Sequence, residues 1–163
     1  MKAHEGTVAV RVCTITVSDT RRGDDDTSGA LLAAGCVDAG FEHLAHLRVP
    51  DEPAAIEAAL AEAASRHADA VLLTGGTGIA ARDVTYEVVA ARLAKTLDGF
   101  GETFRRLSYD EIGPRAMLSR AVAGVTAEGR VLVALPGSRG AVSLAMRALI
   151  APTLGHMVAL ARP

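Results

Sequence analysis

Aromatic side chains are scarce in this chain: they make up 3 % of it, and tryptophan is absent. Phe41, Phe100, Phe104, Tyr86 and Tyr109 are the whole set. With so few rings, a platform of stacked bases is not expected, which argues against single-stranded nucleic acid as a partner. The core must be built from Ala, Val, Leu and Ile. Net charge is also missing. The formal value is −2 with no basic run, which argues against nucleic acid and against an anionic membrane surface. The two cysteines, Cys13 and Cys36, lack CxxC spacing. Reduced, buried thiols are expected, one in a strand and one in a helix, with no disulfide or zinc site. No apolar run reaches the length of a membrane span. Residues 1–12 carry Lys2, His4, Glu5 and Arg11 and lack the apolar centre of a signal peptide, so a cytosolic protein is expected. His43, His46, His67 and His156 show no metal-ligand spacing.

What remains is an ordinary globular composition, 50 % hydrophobic and 22 % charged over 163 residues. One domain spanning 1–163 is expected. Apolar runs alternate with helical patterns. Residues 7–17, 41–49, 70–74 and 131–135 read as strands. Residues 21–27 read as a polar loop. Residues 28–39, the stretch around Ile56, Leu60 and Ala63 or Ala64, and residues 85–95, 101–107, 115–123, 141–150 and 153–161 read as helices, with Pro53 in a first turn and Thr85 as a helix cap. This alternation predicts an α/β fold, a mainly parallel sheet flanked by helices on both faces in a Rossmann-like three-layer arrangement. Ligands of such sheets bind beyond the carboxyl ends of the strands.

The densest chemistry lies at one such end. The apolar run 70–73 stops at Thr74-Gly75-Gly76-Thr77-Gly78, and Arg82, Asp83 and Thr85 open a helical pattern. Glycines let backbone N–H groups approach an anion, and a helix start adds unpaired N–H groups. Arg82 is a candidate anion holder, and Asp83 a candidate for a cation or a donor. The segment is neither a Walker loop, because no Lys follows, nor a dinucleotide fingerprint. The plainer reading is a tight turn before a capped helix. Asp51-Glu52-Pro53 reads either as a helix cap or, through Asp51, as a carboxylate paired with Asp83 around Mg²⁺. The acidic run Asp24-Asp25-Asp26 is not a calcium loop, because Gly35 stands where such a loop needs Glu. Glu102 is a candidate cleft residue or a helical surface residue. Arg120 is a candidate partner for a phosphate or an interface carboxylate.

Four segments in order extend the pattern: Val17-Ser18-Asp19 with Asp26-Thr27-Ser28-Gly29, then Val49-Pro50-Asp51-Glu52, then the glycine segment through Asp83-Val84-Thr85, then Leu135-Pro136-Gly137-Ser138. Together they resemble the molybdopterin-binding family of molybdenum cofactor biosynthesis, over nearly the whole chain. Phe100-Gly101-Glu102, residues 107–113, Met117-Leu118-Ser119-Arg120-Ala121 and Ile150-Ala151-Pro152 resemble its MoaB branch. The resemblance implies a MogA/MoaB-like fold that binds molybdopterin. It further implies transfer of AMP from ATP to the pterin's terminal phosphate, with release of pyrophosphate and Mg²⁺ as cofactor. Asp51 and Asp83 would be the catalytic and metal-binding carboxylates. Ser18, Asp19, Asp26, Ser28, Gly29, Thr74, Gly75, Gly76, Thr77, Gly78, Arg82, Thr85, Glu102, Pro136, Gly137 and Ser138 would bind substrate. A homotrimer or homohexamer is implied too. Because MoaB-type members are not all assigned the adenylyl-transfer role, a non-catalytic molybdopterin carrier stays open. So does an interaction module, which usually needs further domains. Tyr86 departs from the family, standing where many members have Pro, and is expected to narrow the pocket beside Asp83.

Overall fold

The structure, a computed structural model, describes residues 9–20 and 23–163. The expected first strand and first polar loop therefore begin or run partly outside the described residues, at 7–8 and 21–22. Six strands form one sheet in the order β2-β1-β3-β6-β5-β4. They are β1 (Arg11–Val17), β2 (Glu42–Val49), β3 (Ala70–Thr74), β4 (Lys95–Thr96), β5 (Val122–Val125) and β6 (Val131–Leu135). β2, β1, β3 and β6 run parallel, whereas β5 is antiparallel to both β6 and β4. The expected mainly parallel α/β sheet is what the chain forms. β3 and β6 are buried at every position, as continuous apolar runs between two helical layers should be.

Strand alternation divides the interior in two. Val12, Leu72, Val133 and Leu135 face one core with α1 (Thr27–Asp38), α5 (Arg139–Ala145), α6 (Ala151–Ala161) and Phe104 of α4 (Asp98–Ile112). Cys13, Ile15, Val17, Val71, Leu73 and Ala134 face the other, against α2 (Pro53–Ser65) and α3 (Thr85–Arg92). Cys13 and Cys36 are free and buried, on β1 and α1 as expected, and burial pushes the Cys36 thiol up to about 12.

Several local expectations are corrected. Residues 115–123 do not form a helix. A 3-10 turn, Gly113–Leu118, is followed by β5. The strand was hidden by Gly124, where a side chain would collide with the Lys95 carbonyl of the adjacent strand. The helix from 85 stops at Arg92 rather than Lys95, because the Ala94 and Leu97 N–H groups donate to Val125 and Ala123 and draw the chain to the sheet edge. Thr85 is not the cap. Val84 takes that place, and the Thr85 N–H donates to the Gly76 carbonyl at 2.9 Å. α1 starts one residue earlier than read, at Thr27, and Asp26 caps it by accepting from the Gly29 N–H at 2.9 Å.

The last two predicted helices join. α5, a π-helical turn (Met146–Ile150) and α6 make one helix, Arg139–Ala161, with a mean hydropathy of 1.5 over its most apolar window. It is long and apolar enough to cross a membrane by length and composition, unlike either half as read from the sequence. Its Val142, Ala145, Ile150, Leu154 and Val158 instead pack into the first core. Pro152 cannot donate to the carbonyl four residues earlier, and the helix widens immediately before it.

Candidate functional site

Sheet register sets the site. Thr16 pairs with Thr74, Thr74 with Leu135, and Val17 with Val49, so four parallel strands end level. The segments that follow, at 18–20, 50–52, 75–78 and 136–138, therefore meet at one edge. β1 feeds β2 on one side while β3 lies on the other, so the β1/β3 boundary is the point where strand order reverses. A cavity of about 550 Å³ opens there. Ser18, Asp51, Gly75, Gly76, Thr77, Gly78, Asp83, Pro136, Gly137 and Ser138 line it.

The glycine segment forms the floor. Gly75 donates to the Leu135 carbonyl at 3.0 Å, which ties the segment to β6. Gly76 has φ +69°, a conformation glycine adopts without strain. A Cβ there would lie 2.6 Å from Asp51 Oδ1 and against Thr85 Oγ1. The carbonyls of this segment are occupied: Gly76 O accepts from Thr85 N–H, and Thr77 O and Gly78 O accept from the Arg120 guanidinium at 3.0 and 2.5 Å. The N–H groups of Gly76, Thr77 and Gly78 have no hydrogen-bond partner among the described residues. Free donors on a glycine turn are what an anion requires.

The acidic groups sit beside these donors. Asp51 is not a helix cap, because Glu52 occupies that position and makes no side-chain cap bond. Asp51 Oδ1 is buried and has no partner. Burial pushes its carboxyl upward, the nearby charges of Asp19 and Asp83 push the same way, and Arg82 opposes them. Asp83 folds back on the turn, its Oδ2 accepting from the Ala80 N–H at 3.0 Å. Asp19 accepts from the Asp51 N–H at 3.0 Å and pairs with Arg82 Nε at 2.5 Å; the bond from Arg82 and then the one from the Asp51 N–H hold its carboxyl below the usual range. The unpartnered oxygen and the two neighbouring carboxylates thus disfavour the charged form of Asp51.

Other expected site residues stand one step back from the cavity. Thr74 Oγ1 donates to Pro136 O at 2.9 Å, and Ser28 Oγ to Gly137 O at 2.8 Å, so both shape the second turn. Ser138, by contrast, lines the cavity, and its Oγ also caps α5 by accepting from the Ala141 N–H at 3.1 Å. Thr85 Oγ1 is buried beneath Gly76 without a partner. Arg82 is exposed and engaged with Asp19. Asp26 and Gly29 lie at the start of α1, where Asp26 is buried and bonded to His46 Nε2 and Arg48 Nε at 3.1 and 3.2 Å. Glu102 is exposed and does not reach the cavity.

The opposite wall went largely unnoticed in the sequence. Phe104, Ser108, Glu111 and Ile112 from α4, with Arg115, Leu118 and Ser119 from the turn after it, line the cavity. Positions 104, 108, 111 and 112 share one helical face, a spacing that marks such a wall once the helix is extended to Ile112. Tyr86 does not narrow the pocket. Its ring lies under Arg120, 5.0 Å from the guanidinium carbon, and is absent from the lining. Arg120 likewise faces loop carbonyls and Glu87 rather than the cavity.

Comparison with known proteins fits this geometry. The family described as "Probable molybdopterin binding domain" matches residues 13–156. Molybdenum cofactor biosynthesis protein B of Halalkalibacterium halodurans is 48 % identical over 156 residues, covering 94 % of this chain and 91 % of that protein. The protein of the same name from Bacillus subtilis is 50 % identical over 151 residues, covering 91 % and 88 %. A crystal structure of a molybdenum cofactor biosynthesis protein B superposes with a TM-score of 0.90 at 45 % identity, covering 96 % of this chain and 98 % of that one. The tungsten cofactor synthesizing protein MoaB from Pyrococcus furiosus superposes with a TM-score of 0.87 at 37 % identity, covering 95 % and 98 %. By sequence and fold, the chain belongs to the molybdopterin-binding domain family of molybdenum cofactor biosynthesis proteins.

Proposed function

We propose that this protein binds molybdopterin and transfers AMP from ATP to its terminal phosphate, releasing pyrophosphate. The observation that carries this reading is the pairing at one cavity of unpartnered N–H donors at Gly76–Gly78 with the orphaned Asp51 Oδ1. The donors suit phosphate oxygens. The carboxylates suit the cation that accompanies a nucleoside triphosphate.

The chain fits Mg²⁺ in a particular way. No cluster of three or more His, Cys, Asp or Glu able to hold a metal occurs among the described residues. Mg²⁺ commonly takes only one or two carboxylates, with water and phosphate oxygens completing its shell. Asp51 and Asp83 supply that number, and Asp19 is already committed to Arg82 and the Asp51 N–H. When bound, the ion would neutralise phosphate charge and align the triphosphate. The protein's own contribution is positioning: the glycine turn presents fixed dipoles, and the α4 wall closes the far side. No covalent nucleophile is required. The reading places the protein in the cytosol and as a symmetric homotrimer or homohexamer.

The test is pyrophosphate release by the full chain with molybdopterin, ATP and Mg²⁺. Release that needs all three supports adenylyl transfer. Tight pterin binding with no release would instead make the protein a carrier.

A further inference from the structure

We propose that Arg120 is a positioning residue that turns the N–H groups of the glycine segment toward the cavity, and that Tyr86 and Glu87 hold Arg120 in that role. The proposal deepens the phosphate-binding reading given above and rests on it for its ligand.

The argument is geometric. A trans peptide is planar, with its C=O and the next residue's N–H pointing in opposite directions. No described peptide bond is cis. Gly76 O is held by the Thr85 N–H at 2.9 Å, Thr77 O by Arg120 Nε at 3.0 Å, and Gly78 O by Arg120 Nη2 at 2.5 Å. Three successive carbonyls are thus held by partners that do not line the cavity, Thr85 and Arg120. The N–H groups of Thr77, Gly78 and Ile79 must then each point away from those partners. Thr77 and Gly78 line the cavity, and Arg120 does not.

Two of these three carbonyls depend on one guanidinium. Its Nη2 also reaches Asp83 O at 3.4 Å, which links the start and the end of the loop. The fork is kept in place by an ion pair with Glu87 and by the Tyr86 ring beneath it. Both come from the first turn of α3. Arg120 itself leads into β5, so loop, helix and sheet are joined at a single side chain. Lysine, a point donor on a flexible stem, does not reproduce a planar fork that serves three carbonyls. Tyr86 supplies an aromatic face for the guanidinium, whose central carbon lies 5.0 Å from the ring centroid.

The test compares the full-length protein with R120Q, R120K, Y86A and Y86F. It uses amide hydrogen exchange without ligand, ATP·Mg²⁺ affinity by calorimetry, and a thermal melt. R120Q is expected to speed exchange of the hydrogen-bonded loop amides of Ala80, Asp83 and Thr85, and to weaken ATP by about tenfold or more, as misplaced binding groups do. Exchange in β3 and β6 should not change. R120K should resemble R120Q. Y86A should shift loop exchange in the same direction, and Y86F, which keeps the ring, should not. Unchanged loop exchange in both R120Q and Y86A overturns the proposal. If R120Q melts too early to measure, Y86A and Y86F decide by the same criterion. If the wild-type protein fails to bind ATP, the phosphate reading falls, while the exchange comparison still decides whether Arg120 orders the loop.

Discussion

At the scale of the residue, the proposed function rests most on Asp51 and Asp83, and they differ in how they are held. Asp83 is satisfied locally by the Ala80 N–H, whereas Asp51 has a buried oxygen with no partner and a carboxyl pushed upward by burial, Asp19 and Asp83. A carboxyl raised in the folded state adds nothing to stability at low pH, where both states are protonated. It costs stability once the pH exceeds its ordinary value. Asp51→Asn is therefore expected to keep or raise the melting temperature at neutral pH while pyrophosphate release falls on the order of a hundredfold. Had Asp51 been a cap, the same change would lower the melt. Asp83→Asn is expected to lose activity on the same order, with pterin binding changed much less, since a lost transition-state contact and lost uniform binding separate in kinetics. Full activity in Asp83→Asn, measured as pyrophosphate release, would refute the metal-site reading.

Secondary-structure elements carry a second kind of dependence. The start of α1 rests on Asp26, which caps the helix and meets Thr16, His46 and Arg48 from two strands. α1 in turn sends Ser28 to the Gly137 carbonyl at the cavity edge. Burial by itself would push the Asp26 carboxyl up, but the bonds from Thr16, the Gly29 N–H, His46 and Arg48 outweigh it, so the folded group titrates below its ordinary value. Its contribution is complete above the unfolded carboxylate's value, about 4, and is lost as pH falls through the lower folded one. Asp26→Asn is expected to cost about 2 kcal/mol at pH 7 by denaturant unfolding, because Asn still caps but removes the buried carboxylate that accepts from Thr16, His46 and the half-exposed Arg48. The gap should close as both proteins are acidified below about pH 4. Equal stability at pH 7 would show the network to be idle.

The turn after β3 is the other vulnerable element. Gly76→Val places a branched side chain at φ +69° and against Asp51 and Thr85. A stability loss of about 2 kcal/mol is expected from backbone strain, together with lost ATP binding. Intact nucleotide binding in this variant would reduce the segment to a simple turn.

For the whole molecule, the apolar residues left outside the two cores bear on assembly. Ile79 beside the glycine turn, Met117 after α4 and Leu160 near the end of α6 are each more than 70 % exposed. A symmetric assembly of three or six chains would cover such surface. Light scattering at micromolar concentration is expected to give that mass, and a monomer alone would count against it.

The parts of this protein legible in the chain were those governed by local rules. Period and run length were enough to place β3 and β6, the Pro53 start of α2 and the three-layer α/β class, because a buried parallel strand must be apolar throughout and a helix must follow it. The glycine turn and its neighbouring acids were visible as residue types at a strand end. Tertiary contacts had to settle everything else. β5 is too short and too rich in small residues to announce itself, and it exists because β6 and β4 pair with it. Thr85 lost its expected cap role to a bond with a loop. Asp26 and Glu102 stand outside the cavity, while Glu111 and Ser108 stand in it, because helix rotation against a sheet is set by which face packs. Arg120 shows the limit most plainly: it lies 42 residues beyond Gly78, and only the folding of β5 beside the sheet brings its guanidinium to that carbonyl. Local sequence constrains dihedral angles and burial, whereas a contact across that separation depends on the packing of every element between.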